Sequence, residues 1–280
     1  MFVTRIYKLD LKIFGTGERT ILVIPGGPGL SHAYLKPVIE NFGNSGFKVI
    51  AYDPLSNSEN NYSMNSAVNE LDEILKNYCS DNTIVFGHSF GGNVALQYIL
   101  ETDQRATKIS TLVISNTIYS FEKYNQNLNT LKNSMPDEII REINRHQNEK
   151  DFGEIYFNLL MNEWLPRYWC LSNPLPEYLI QSLSEINQSL FTHFVGEDPL
   201  NVTGELRKWT IKDRIDQIKI PCLFIAGSSD TVFEKDIVFM AKETLGEYYI
   251  CPDSAHYPFI ENPDLYFERI DKFIFDYEAQ

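Results

Sequence analysis

One stretch restricts the fold of this chain more than any other. An apolar run, Thr83-Ile-Val-Phe86, passes without a break into Gly87-His-Ser-Phe-Gly91, and a helical segment, Asn93 to Leu100, follows at once. A short apolar run of this kind, closed by glycine, reads as a buried strand. A strand that turns straight into a helix around a serine is the setting in which G-x-S-x-G acts as a nucleophile elbow. The bare pattern arises by chance in roughly one chain in ten of this length, so the flanking strand and helix carry the specificity. Side chains at 87 and 91 would collide with the neighbouring strand and helix. Gly87 and Gly91 therefore leave room for a strained backbone that pushes the Ser89 hydroxyl outward, and Gly92 extends the allowance.

The same alternation recurs along the chain. Phe2 to Phe14 alternates like an edge strand, and Thr20-Ile-Leu-Val-Ile24 is a buried strand that ends at Pro25-Gly-Gly-Pro-Gly29. A helical segment around Tyr34 to Phe42 leads to another short apolar run, Phe47 to Asp53. Asn65 to Tyr78 places Val68, Leu71, Ile74 and Leu75 at helical spacing. Further strands are expected at Lys108 to Ser115, at Pro221 to Ala226 before Gly227-Ser-Ser-Asp230, and at Glu247 to Cys251, with a closing helix over Pro263 to Phe275. This order predicts an α/β fold with a mostly parallel central sheet covered by helices on both faces. Between Thr117 and Thr210 the strand-like runs disappear and polar helical stretches, Pro166, Pro174 and Pro176 replace them. Residues 117–210 are thus expected to form a helical lid inserted into a core made of 1–116 and 211–280.

Composition narrows the function classes. The net charge is −14, with 38 acidic against 24 basic residues and no basic tract, which argues against a nucleic-acid partner. Cys79, Cys170, Cys222 and Cys251 are far apart in sequence, with no C-x-x-C pair, and read as reduced thiols. No metal or organic cofactor is implied. No run approaches the ~20 apolar residues of a membrane span, and Met1 to Asp10 does not resemble an export signal. The cytoplasm is the expected compartment, and the oligomeric state is left open.

A serine nucleophile needs a base, and five histidines are available: His32, His88, His146, His193 and His256. His256 ends Pro252-Asp-Ser-Ala-His256, a short loop after the last strand, so it should project from the sheet edge where Ser89 emerges. His146 and His193 fall in the insertion and read as solvated. His88 should point away from the reacting centre and support the elbow, while His32 fits either local packing or substrate contact. An acid must fix the imidazole tautomer and stabilise the imidazolium. Asp230 is preferred, because the order Ser89, Asp230, His256 is the order this fold's triads follow. Asp253 competes but lies only three residues from the histidine. For the developing oxyanion, the amides of Gly27 and Phe90 are the expected donors; Pro28 has no N–H to offer.

With these residues in place, the sequence resembles the proline iminopeptidases (prolyl aminopeptidases) among α/β-hydrolases. The likeness covers nearly the whole chain and is carried by Pro25-Gly-Gly-Pro-Gly29, Gly87-His-Ser-Phe-Gly-Gly92, Asn201-Val-Thr-Gly-Glu-Leu-Arg-Lys-Trp209, Ile218-Lys-Ile-Pro221 and Gly227-Ser-Ser-Asp230. The resemblance implies the α/β-hydrolase fold and removal of an N-terminal residue, often proline, from a short peptide whose free amine is held by acidic side chains. The resemblance places the family's two glutamates near Pro199 and on Thr231 here, with Glu197, Asp198 and Glu234 nearby as substitutes. Pro25 replaces a histidine, and Asp53-Pro-Leu-Ser-Asn-Ser58 lacks the family's glycines.

The expected activity is amide or ester hydrolysis through an acyl-enzyme. A carboxylesterase or lactonase acting on a small molecule is the alternative, and a non-catalytic ligand-binding protein is the reading from another class. Ser89 at the elbow disfavours the carboxylate chemistry of haloalkane dehalogenases and epoxide hydrolases. Substrate contacts are expected from Gly26, His32, Glu197, Asp198 and Trp164. The aromatic group Trp164, Tyr168 and Trp169 fits either an apolar pocket or the core of the lid.

Overall fold

The computed structural model describes residues 11–54, 62–104 and 107–278. Most of the first expected strand and most of Asp53 to Ser58 lie outside them. The chain alternates strands and helices as β1 (Leu11–Phe14), β2 (Thr20–Ile24), α1 (Lys36–Asn44), β3 (Lys48–Tyr52), α2 (Met64–Tyr78), β4 (Thr83–His88), α3 (Phe90–Glu101) and β5 (Ile109–Ser115). The segment between β5 and β6 carries α4 (Phe121–Lys132), α5 (Asp137–Glu149), α6 (Glu154–Leu159), α7 (Glu177–Ser184) and α8 (Gln188–Phe194). The core then resumes with β6 (Cys222–Gly227), α9 (Glu234–Thr244), β7 (Glu247–Cys251), α10 (Pro258–Glu261) and α11 (Pro263–Glu278).

Among the described residues the sheet order is β1-β3-β2-β4-β5-β6-β7, and only the β1–β3 pair is antiparallel. The central strands are buried on both sides, and period 2 divides their side chains between two cores. Leu22, Ile24, Val85, Leu112, Ile114 and Phe224 join one apolar cluster with residues of α2, α3 and α9. Ile21, Val23, Phe86, Val113, Leu223 and Ile225 join the other with α1 and α11. Each strand thus reads as a continuous apolar run rather than an alternating one.

The β5–β6 segment holds a third cluster of its own, with Leu128, Ile143, Tyr156, Leu160, Trp164 and Leu200 buried in it. The two ends of this segment are stapled together by an antiparallel bridge between Ser120 and Thr210, with Phe121 N–H donating to Trp209 O at 3.1 Å and Ile211 N–H to Tyr119 O at 2.9 Å. Downstream of α6 the chain widens into a π-helical stretch, Leu160–Trp169, that contains Pro166. Among the described residues, no helix is long and apolar enough to cross a membrane.

Chain order and spatial order part company at one place. β2 has β3 on one side and β4 on the other, so the chain reverses direction across the sheet between β3 and β4. The crevice at the carboxyl ends of strands flanking such a reversal is where open α/β sheets bind ligands. The loop after β2 and the turn after β4 meet there, in the register Ile24↔Gly87.

Candidate active site

The turn after β4 is forced tight by its neighbours. A Cβ on Gly91 would sit 2.2 Å from the Ile24 carbonyl oxygen, and one on Gly87 would sit 2.7 Å from the Cα of Gly92. Ser89 consequently takes φ 51° and ψ −120°, a left-handed backbone that costs a non-glycine residue about 1–3 kcal/mol. The strain is held by Ser89 N–H donating to Ser115 O at 2.9 Å and by Thr117 Oγ1 donating to Ser89 O at 2.9 Å. Helix α3 begins immediately after, at Phe90 rather than at the expected Asn93. Its first amide, that of Phe90, has no carbonyl one turn back to bond.

The expected base and acid come from the loops after β7 and β6. His256 Nδ1 lies 2.9 Å from Asp230 Oδ1. The Asp230 side chain is fully buried, and the His256 side chain is mostly so. A carboxylate facing Nδ1 places the proton on that nitrogen, which leaves Nε2 as the lone-pair face. Asp230 is itself fixed by Asn116 Nδ2 at 2.7 Å and by Thr231 Oγ1 at 3.0 Å. Asn116, at the end of β5 with φ 55°, was not singled out as a site residue from the sequence; the available signal was an asparagine closing a buried strand. Asp253, the competing acid, is exposed and makes no hydrogen bond to His256 among the described residues.

Ser89 and His256 line one cavity together with Gly27 and Phe90. Among the described residues, the side chains of Ser89 and His256 border this space without a hydrogen bond between them. Such contacts commonly close only when substrate is bound. Neither the Gly27 nor the Phe90 amide has an acceptor among the described residues.

His88 is buried and sits at the centre of a second network. Gly26 N–H donates to Tyr34 Oη at 2.6 Å, Tyr34 Oη–H to His88 Nδ1 at 2.7 Å, and His88 Nε2–H to His256 O at 2.8 Å. This direction of donation keeps the ring neutral, and burial pushes its pKa well below the ordinary histidine value, with His256 adding to the effect. His88 thereby joins the loop after β2, the elbow and the loop carrying His256.

The residues expected to touch substrate are placed differently. Trp164 is fully buried in the insertion's own core and does not line the cavity, because Tyr168 and Trp169 pack against it. Asp198 is buried but turned away, accepting from Tyr156 Oη at 2.8 Å, Gln147 Nε2 at 2.7 Å and Leu200 N–H at 2.9 Å. Glu197 and Glu234 are exposed. His32 is engaged with Asp53, through Nδ1 at 2.9 Å and its own amide. Gly26 lies under Ser89, and its amide is taken by Tyr34. His146, expected to be solvated, is 1 % exposed, donating from Nδ1 to Asp151 O at 2.7 Å.

The cavity has a volume of about 150 Å³ and an apolar wall. The insertion supplies Ile118, Phe121, Tyr124, Trp169, Leu183, Ile186 and Phe191, and the core supplies Leu30, Val232 and Tyr257. Trp169, one of the aromatic group, is the member that reaches it. At Thr231, where the resemblance would place a glutamate, a buried hydroxyl pairs with Asp230 and Tyr124.

Comparison with known proteins agrees with the fold. The family model described as the alpha/beta hydrolase fold matches residues 19–263. The proline iminopeptidase of Flavobacterium johnsoniae is 29% identical over 96% of this chain and 94% of its own. The crystal structure of the proline iminopeptidase of Mycobacterium smegmatis superimposes with a TM-score of 0.86 at 18% identity, covering 96% of this chain and 95% of that one. Est816, described as an N-acyl homoserine lactone degrading enzyme, gives a TM-score of 0.68 at 18% identity over 95% of this chain and 96% of its own.

Proposed function

Because this chain belongs to the alpha/beta hydrolase fold family, we propose that it cleaves an amide or ester bond through an acyl-enzyme on Ser89, as a serine hydrolase resembling the proline iminopeptidases. Ser89 Oγ attacks the substrate carbonyl carbon while His256 Nε2 takes the hydroxyl proton. Asp230 holds the imidazole in the tautomer this needs and stabilises the imidazolium. The oxyanion is received by the Gly27 and Phe90 amides, and the leaving amine or alkoxide departs with the proton from His256. Water then attacks the acyl-enzyme with His256 again as base, releasing the carboxylic acid and restoring Ser89.

The observation that carries this reading is the 2.9 Å contact of His256 Nδ1 with a buried Asp230, on the cavity that Ser89 lines. Ser89→Ala is expected to abolish both turnover of small acyl substrates and labelling by a fluorophosphonate. Unchanged turnover in clean protein would end the proposal.

The apolar wall supports a small, uncharged acyl group. An apolar cavity of about 150 Å³ is large enough for benzene, so the acyl part has on the order of six to eight heavy atoms. The insertion acts as a lid over this group. Prolyl p-nitroanilide and cyclopentanecarbonyl p-nitroanilide share ring size and leaving group and differ in the ring amine. The carbocyclic compound, and p-nitrophenyl esters of short acids, are expected to have the higher kcat/KM. A hundredfold preference for the prolyl compound would instead support recognition of a free N-terminus.

A further inference from the structure

The backbone of residues 255–257, which carries the imidazole, has every polar group engaged. Ala255 O accepts from Asn116 Nδ2 at 3.2 Å, and His256 O accepts from His88 Nε2. His256 N–H donates to Trp169 O at 3.0 Å, which ties it to the end of the π-helical stretch of the insertion. Tyr257 O accepts from the amides of Ile260 and Glu261 in α10. The two remaining amides converge on one carboxylate. Ala255 N–H and Tyr257 N–H both donate to Glu261 Oε2, at 2.9 and 3.1 Å. The other oxygen of the same carboxylate, Oε1, accepts from Leu171 N–H at 2.6 Å.

Glu261 therefore grips the main chain on both sides of His256 with one oxygen and the insertion with the other. Leu171 lies two residues beyond Trp169, whose carbonyl holds His256 itself, and the intervening Cys170 is extended. The insertion and the histidine loop thus meet along a short edge, with the carboxylate as the bracket. Burial pushes the Glu261 pKa above the ordinary carboxylate range, while the three amides pull the other way. A partly buried carboxylate in this position is retained only because three donors face it.

We propose that Glu261 is a positioning residue that locks the His256 loop to the seated insertion, so that the general base is aimed only when the insertion is in place. The proposal rests on the reading of Ser89 and His256 given above. Misplacing a catalytic group by about 1 Å lowers rate on the order of a hundredfold. Glutamine keeps the shape of Glu261 but has one acceptor oxygen, and its NH₂ would face an amide N–H on the other side. One half of the bracket must then open.

In Glu261→Gln, kcat for a p-nitrophenyl ester is expected to fall about ten- to a hundredfold, with KM within about twofold. The rate of fluorophosphonate labelling at Ser89 should fall by the same factor, because it draws on the same base. Labelling of wild type and Glu261→Gln at equal rates overturns the proposal, as does a loss confined to KM. Wild-type protein that takes no label at Ser89 overturns the serine hydrolase reading instead. Residue-resolved hydrogen exchange on the wild type tests the bracket without any substitution. The amides of Leu171, Ala255 and Tyr257 should share one opening free energy, and Ala255 exchanging well ahead of Leu171 would overturn it.

Discussion

The two walls of the cavity are built on opposite principles. On the sheet side each functional side chain is fixed by polar partners: Asp230 by Asn116 and Thr231, His256 by Asp230, and His88 by Tyr34 and the His256 carbonyl. On the insertion side the wall is Phe121, Leu183, Ile186 and Phe191, placed by packing. Hydrogen bonds fix direction to a few tenths of an ångström, whereas apolar packing fixes volume and tolerates exchange. On the proposed reading, chemistry belongs to the sheet side and selection to the insertion, and substitutions on the two sides should separate accordingly.

The largest effect is expected on the sheet side. Asp230→Asn should lower kcat about 10⁴-fold by favouring the wrong imidazole tautomer, equivalent to about 5.5 kcal/mol, with KM little changed. A loss under tenfold in steady-state assays would remove Asp230 from the mechanism. Next, Trp164→Ala empties the centre of the insertion's core and should destabilise it by about 3–5 kcal/mol. Its kinetic signature should be a raised KM with Ser89 still labelled; a thousandfold drop in kcat at constant KM would erase the division between the walls.

A smaller effect depends on pH. The His88 pKa is depressed in the folded state by burial, so below about pH 6.5 the unfolded chain binds a proton that the folded one does not. Stability contributed by the neutral ring is complete above that pH and is lost as pH falls toward the depressed value, by about 1.4 kcal/mol per unit. Urea unfolding across this range should show a slope that His88→Gln flattens, and parallel slopes would refute it. The smallest effect belongs to the outer face of the insertion. Arg145 pairs with Glu142 and Glu149 on exposed α5, and Arg145→Ala should shift Tm by less than about 2 °C, with unaltered kinetics in the same assays.

The same contrast explains what the sequence disclosed. Strands such as Thr20–Ile24 and Cys222–Gly227 are legible because a doubly buried strand must be a short apolar run. The positions of Ser89, Asp230 and His256 follow from strand ends, which local sequence marks with glycine and aspartate. The start of α3 is obscured because Gly91 and Gly92 are poor helix formers held there by close packing. Helix α9, outside the elements expected from the sequence, has its signal in Ile237, Met240 and Ala241 at helical spacing. In the insertion, the direction of Trp164, Asp198 and His146 depends on which helix packs against which, and no local pattern encodes that. Asn116 and Glu261 stayed hidden because their roles exist only through partners more than 100 or, for Glu261, up to 90 residues distant.

The bridge between Ser120 and Thr210 has a further consequence. The excursion that lines the cavity departs from and returns to a single point at the rim of the open sheet, as a cassette does in its slot. Cassettes of other lengths could be spliced at this joint with little added entropy of closure, since doubling a flexible loop adds only about 0.6 kcal/mol. Ancestral or engineered exchange at the joint would rewrite the diet of the enzyme while its cutting edge stayed as it was.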